Sequence, residues 1–94
     1  MKATETGFAG LLILEPFVFN DDRGYFMESF NQETLRKGGI KFIPVQDNES
    51  KSVKGVIRGL HYQLRPFEQA KLIRVIDGSI YDVALDLRKT SKTF

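Results

Sequence analysis

Short runs of branched and aromatic residues recur along the chain, each closed by residues that turn or break the backbone. GLLILEPFVF (10–19), YFMESF (25–30), VIRGLHYQL (56–64), KLIRVI (71–76) and SIYDVALDLR (79–88) are the clearest. Such runs, bounded by Gly, Pro, Asn and Asp, read as β-strands. Pro16 divides the first into two strands or bends it, since proline cannot donate to a ladder. NDDRG (20–24) reads as a turn, and Asp77-Gly78 is a strong two-residue hairpin signal. IKFIPVQDNESKS (40–52) reads as a strand that becomes increasingly polar. The single helical candidate is NQETLRKGG (31–39), with Asn31 as N-cap, Glu33 in the first turn and Gly38 or Gly39 as the stop. Many short strands and one brief helix predict an all-β barrel or sandwich.

With 94 residues the chain forms at most one domain, spanning 1–94. A chain of that size buries only about 60–65% of its unfolded surface, so its core is marginal. At 41% hydrophobic and 28% charged residues it is globular rather than disordered. Cysteine is absent, which excludes disulfides and thiol catalysis and fits a cytoplasmic protein. Neither a secretory signal nor a membrane-spanning run is expected. The net charge of +2 is spread through the chain, so no nucleic-acid-binding stripe stands out. A small anionic ligand remains compatible, because a few placed arginines hold phosphate.

The only histidine, His61, lies inside the run 56–64. With RPFEQA (65–70) as a hairpin connection centred near Pro66, His61 and Lys71 stand opposite each other on one face. A neighbouring ammonium disfavours imidazolium and leaves His61 a neutral base. Lys71 then sits where charge develops when a proton is removed beside a carbonyl. Spacing alone leaves open a second reading: a solvated lysine and an edge histidine satisfied by backbone. One residue of register slip would separate the two. Arg58 falls on the opposite face of a regular strand unless the backbone is distorted near Gly59. Gln46, Asn48 and Ser50 share one face and suit sugar hydroxyls or a pyrimidine edge, or simply a solvated edge. Gly55, His61, Gln63 and Glu68 nearly spell a cupin metal motif, with Gln63 where a second histidine would stand. One His and one Glu without Cys make a poor transition-metal site, so a metal-free barrel is expected.

FNDDRGYFMESFN (19–31), VQDNESKSVKGVIRGLHYQL (45–64) and QAKLIRVIDGSIYDVALDLRKTSKTF (69–94) together resemble the dTDP-4-dehydrorhamnose 3,5-epimerases, in order along essentially the whole chain. The resemblance implies a metal-free, cofactor-free cupin jelly roll (a double-stranded β-helix). Its substrate is dTDP-4-dehydro-6-deoxy-D-glucose, epimerised at C3 and C5 beside the C4 ketone on the way to dTDP-L-rhamnose. By resemblance His61 matches the proton-abstracting histidine and Lys71 the lysine that steadies the enolate. Arg23, Glu28, Gln46, Asn48 and Arg58 match residues holding nucleotide and sugar, with Phe19 and Phe26 near the thymine or sugar. The family forms homodimers that exchange N-terminal strands.

Members of the family are roughly twice as long, so residues 1–94 are expected to be the first half of the barrel. The tyrosine general acid and the aspartate that orients the histidine lie in the other half. Tyr25, Tyr62 and Tyr81 do not match that tyrosine. The 94 residues alone are therefore expected to be inactive or nearly so. Alternatives are a C3-only or C5-only epimerase, and a non-catalytic dTDP-sugar-binding half-barrel.

Overall fold

The computed structural model describes residues 1–94. Four strands precede one helix: β1 (Lys2–Glu5), β2 (Leu12–Glu15), β3 (Val18–Asp21), β4 (Gly24–Met27) and α1 (Gln32–Lys37). The regular structure is therefore all-β with one short helix. β1 pairs antiparallel with β2, Ala3 facing Leu14, and β3 pairs antiparallel with β4, Phe19 facing Phe26. Pro16 falls between β2 and β3, where its missing N–H costs no ladder bond. The β3–β4 loop is only Asp22–Arg23, and Gly24 takes φ +129°, which a side chain would disfavour. Between β1 and β2, the Thr6 hydroxyl donates to Leu11 O at 2.8 Å and Leu11 N–H donates to Phe8 O at 2.9 Å.

The helix is built as its sequence dictates. Asn31 takes the extended conformation of an N-cap, and its Oδ1 accepts from Thr34 N–H at 3.0 Å. Glu33 lies in the first turn and pairs with Arg36 at 2.6 Å. At the other end Ile40 N–H donates to Leu35 O at 2.8 Å and Gly39 N–H to Arg36 O at 3.0 Å, with Gly39 at φ +85°. That pair of bonds is a Schellman closure, which needs a left-handed residue where Gly39 stands. Leu35 is the one buried hydrophobic residue, and Phe30 meets Phe42 edge-to-face at 6.0 Å. Replacing Asn31 with alanine is expected to destabilise the helix by about 1 kcal/mol. Faster amide exchange at Thr34, with β3–β4 amides unchanged, is the readout.

The expected strands at 40–52, 56–64, 71–76 and 79–88 are not formed. A strand exists only where a second backbone meets it, and none of these runs is paired with another. The two turns that should have joined them are partly in place. Phe67 N–H donates to Leu64 O at 2.8 Å around Pro66, and Gly78 takes φ +83°. Neither turn is continued by a ladder. The result is an open arrangement: the radius of gyration is 15.6 Å, against about 12 Å for a compact chain of this length. Side chains that β-runs normally bury stand in solvent, with Val45, Ile57 and Tyr81 all more than nine-tenths exposed. No helix is long and apolar enough to cross a membrane.

Candidate functional site

The β3–β4 hairpin carries the best-formed part of the site. Phe19 and Phe26 are directly opposed, so both rings rise from one face, and Asp21 belongs to that face too. The rings are 65% and 71% exposed, an apolar platform open to a flat ligand. At its tip Arg23 is folded back on Asp21: Nη2 donates to Oδ2 at 2.6 Å and the backbone N–H donates to Oδ1 at 2.8 Å. The Arg23 hydrogen bonds hold the Asp21 carboxyl below its ordinary range, and Asp21 raises Arg23. Asp21, Arg23, Gly24, Tyr25 and Phe26 line a shallow groove of about 260 Å³. An exposed pair of this kind is worth little, so Arg23 can exchange Asp21 for an incoming phosphate at small cost. Glu28 follows β4 and is exposed, at the open end of the hairpin and away from the turn that carries Arg23.

In the polar run, which forms no strand, Gln46 Nε2 donates to Asn48 Oδ1 at 3.2 Å, which places the two amides side by side. Arg58 lies against this same stretch. Its Nε donates to Ser52 Oγ at 2.9 Å and its Nη2 to Lys51 O at 3.2 Å. Ser52 and Lys51 are positioning partners that strand periodicity missed, since the contact is made across the turn at Val53–Val56. Gly59 takes φ +131° in a segment that forms no strand. That conformation frees Arg58 and His61 from strict alternation.

His61 and Lys71 are both exposed, and no strand pairing joins their segments. The turn between them spans Leu64–Phe67, so its centre falls between Arg65 and Pro66 rather than on Pro66. Carried outward, that register sets His61 opposite Ala70 and Leu60 opposite Lys71, one residue from the arrangement that spacing suggested. A single-residue bulge restores it. The structure thus forms the hairpin platform and the Gln46–Asn48 and Arg58 contacts, but does not join them to His61 and Lys71.

The family model for dTDP-4-dehydrorhamnose 3,5-epimerase matches residues 5–94. A dTDP-4-dehydrorhamnose 3,5-epimerase of Shigella flexneri is 55% identical over 95 residues, covering 100% of this chain and 52% of the relative. The protein of that name from Methanothermobacter thermautotrophicus is 54% identical over 90 residues, 96% of this chain and 48% of its own. The Pseudomonas aeruginosa protein is 50% identical over 95 residues, 100% of this chain and 52% of its own. The chain spans about half the length of the curated relatives it matches. No solved structure matches significantly. A family match over nearly every residue, with identities of half or more to proteins from both bacteria and an archaeon, places this chain in the dTDP-4-dehydrorhamnose 3,5-epimerase family.

Proposed function

We propose that residues 1–94 form the N-terminal part of a single cupin jelly-roll domain that epimerises dTDP-4-dehydro-6-deoxy-D-glucose at C3 and C5. The observation that carries this reading is the family match over residues 5–94, which includes every chemically suited side chain described above. The C4 ketone acidifies the protons on both neighbouring carbons. His61 removes one, the electron pair moves onto the ketone oxygen, and the Lys71 ammonium holds the resulting enolate. Return of a proton to the opposite face of the same carbon inverts it, so atoms and charge balance without a redox partner.

Recognition is divided among the remaining candidate side chains. Phe19 and Phe26 take the flat thymine or the sugar ring, and Arg23 and Arg58 hold the diphosphate. Gln46 and Asn48 supply donors and acceptors for hydroxyls or the base edge, with Glu28 accepting from a hydroxyl. The uncovered apolar runs fit a barrel completed by further strands and a homodimer that exchanges N-terminal strands. Such an enzyme works in the cytoplasm, where nucleotide sugars are made.

The test joins residues 1–94 to the remaining half of the Shigella flexneri relative and follows the substrate's C3 and C5 protons in D₂O by NMR. Exchange at both carbons is the expected result, while residues 1–94 alone should show none. Exchange at one carbon would identify a single-site epimerase. A folded chimera that exchanges neither would overturn the reading.

A further inference from the structure

The Asp21 carboxylate bonds no side chain but that of Arg23. Arg23 Nε and Nη2 both donate to Oδ2, at 3.2 and 2.6 Å, and its backbone N–H donates to Oδ1 at 2.8 Å. The two oxygens therefore have separate roles. Oδ1 closes the two-residue turn through the backbone, as Asx side chains do, and Oδ2 holds the guanidinium. Gly24 stands opposite Asp21 and has no side chain to compete for either oxygen.

The pair lies where a ligand on the aromatic platform would meet it. Asp21 follows Phe19 by two residues on β3, so the carboxylate and the two rings share one face. Asp21, Arg23 and Phe26 line the same groove of about 260 Å³. Both charged side chains are more than half exposed, so a small anion in solution can reach them. An oxyanion approaching the Nε–Nη2 edge of Arg23 finds it filled by a group of its own charge. The Arg23 bonds keep that carboxyl below its ordinary range, so it stays ionised near neutral pH.

We propose, on the reading above in which Arg23 holds the ligand's diphosphate, that Asp21 is a built-in competitor for Arg23 and so a specificity-determining residue of the nucleotide site. In the empty site its carboxylate occupies the place of a phosphoryl oxygen and keeps the guanidinium folded over the turn. Every anion has to displace it, and loses part of the attraction that a free arginine would supply. A bare anion has nothing to offset that loss. A thymidine nucleotide does, because its base stacks on Phe19 and Phe26 at the same time. Simple phosphates are held off, and the nucleotide still binds.

The test titrates the chimera with the second half of the Shigella flexneri relative, by calorimetry, with pyrophosphate, dTDP and thymidine. Asp21→Asn keeps an oxygen for the Arg23 backbone N–H and removes the charge. Pyrophosphate and dTDP should each bind this variant about twofold to fivefold more tightly, the range that release of an exposed ion pair allows. Thymidine affinity should be unchanged, because the platform is untouched. A damaged hairpin would not tighten binding, so the sign of the effect excludes a merely structural role. In an Arg23→Gln background, Asp21→Asn should change pyrophosphate affinity by less than about 1.5-fold, because the two residues act as one unit. Weaker or unchanged binding of dTDP and pyrophosphate to Asp21→Asn overturns the competition. A full gain that persists in the Arg23→Gln background overturns it too, since charge repulsion alone would then account for it. Failure of the wider reading shows separately, as a parent chimera that exchanges neither the C3 nor the C5 proton while the pyrophosphate gain remains.

Discussion

Replacing His61 with alanine in the chimera of residues 1–94 with the second half of the Shigella flexneri relative should slow exchange at C3 and C5 by about 10²–10⁴-fold. That range is what a positioned general base contributes, and His61 is the only imidazole these residues supply. Thymidine-nucleotide affinity should be almost unchanged, because Phe19, Phe26 and Arg23 stand on a separate hairpin with its own hydrogen bonds. A fall in rate without a fall in affinity separates loss of the base from loss of the fold. Added free imidazole should restore part of the rate to the alanine variant and none to the parent. A variant that exchanges within about threefold of the parent would remove His61 from the chemistry, since losing a general base costs far more.

Leu35→Ala should cost the 94-residue chain about 2–5 kcal/mol, the usual range for emptying a buried leucine site. Leu35 is 3% exposed and is the only buried hydrophobic residue. A domain's whole stability is only about 0.05–0.15 kcal/mol per residue, so this one change consumes much of it. Urea titration followed by circular dichroism should show the helical signal lost at lower denaturant. Ile57→Ala is the matched comparison: that side chain is 94% exposed, and its removal should fall within about 0.5 kcal/mol. A large loss for Ile57→Ala with little for Leu35→Ala would mean that the 56–64 run, rather than α1, organises the chain.

The contrast between those two residues shows where the sequence was readable. Asn31, Glu33 and Gly39 announce α1 because capping bonds span only a few residues, and the helix satisfies most of its own backbone. Asp22–Arg23 and Gly24 announce the β3–β4 turn for the same reason, and with it the opposition of Phe19 and Phe26. Gln46 and Asn48 also meet over a two-residue separation. Every one of these contacts lies within a short stretch of chain.

The rest depends on partners that are distant in sequence. Ile57 and Tyr81 have the composition of strand residues, yet a strand needs another backbone beside it, and pattern alone does not say which. The relation of His61 to Lys71 turns on a one-residue shift in a turn, which composition cannot resolve. No local pattern marks Arg88, and only the tertiary structure shows it bridging buried Asp86 to Ala9. The sequence by itself determined the helix, the β3–β4 turn and the family to which the chain belongs. The tertiary structure decided register and burial, because those are set by long-range contacts whose geometry no local pattern encodes.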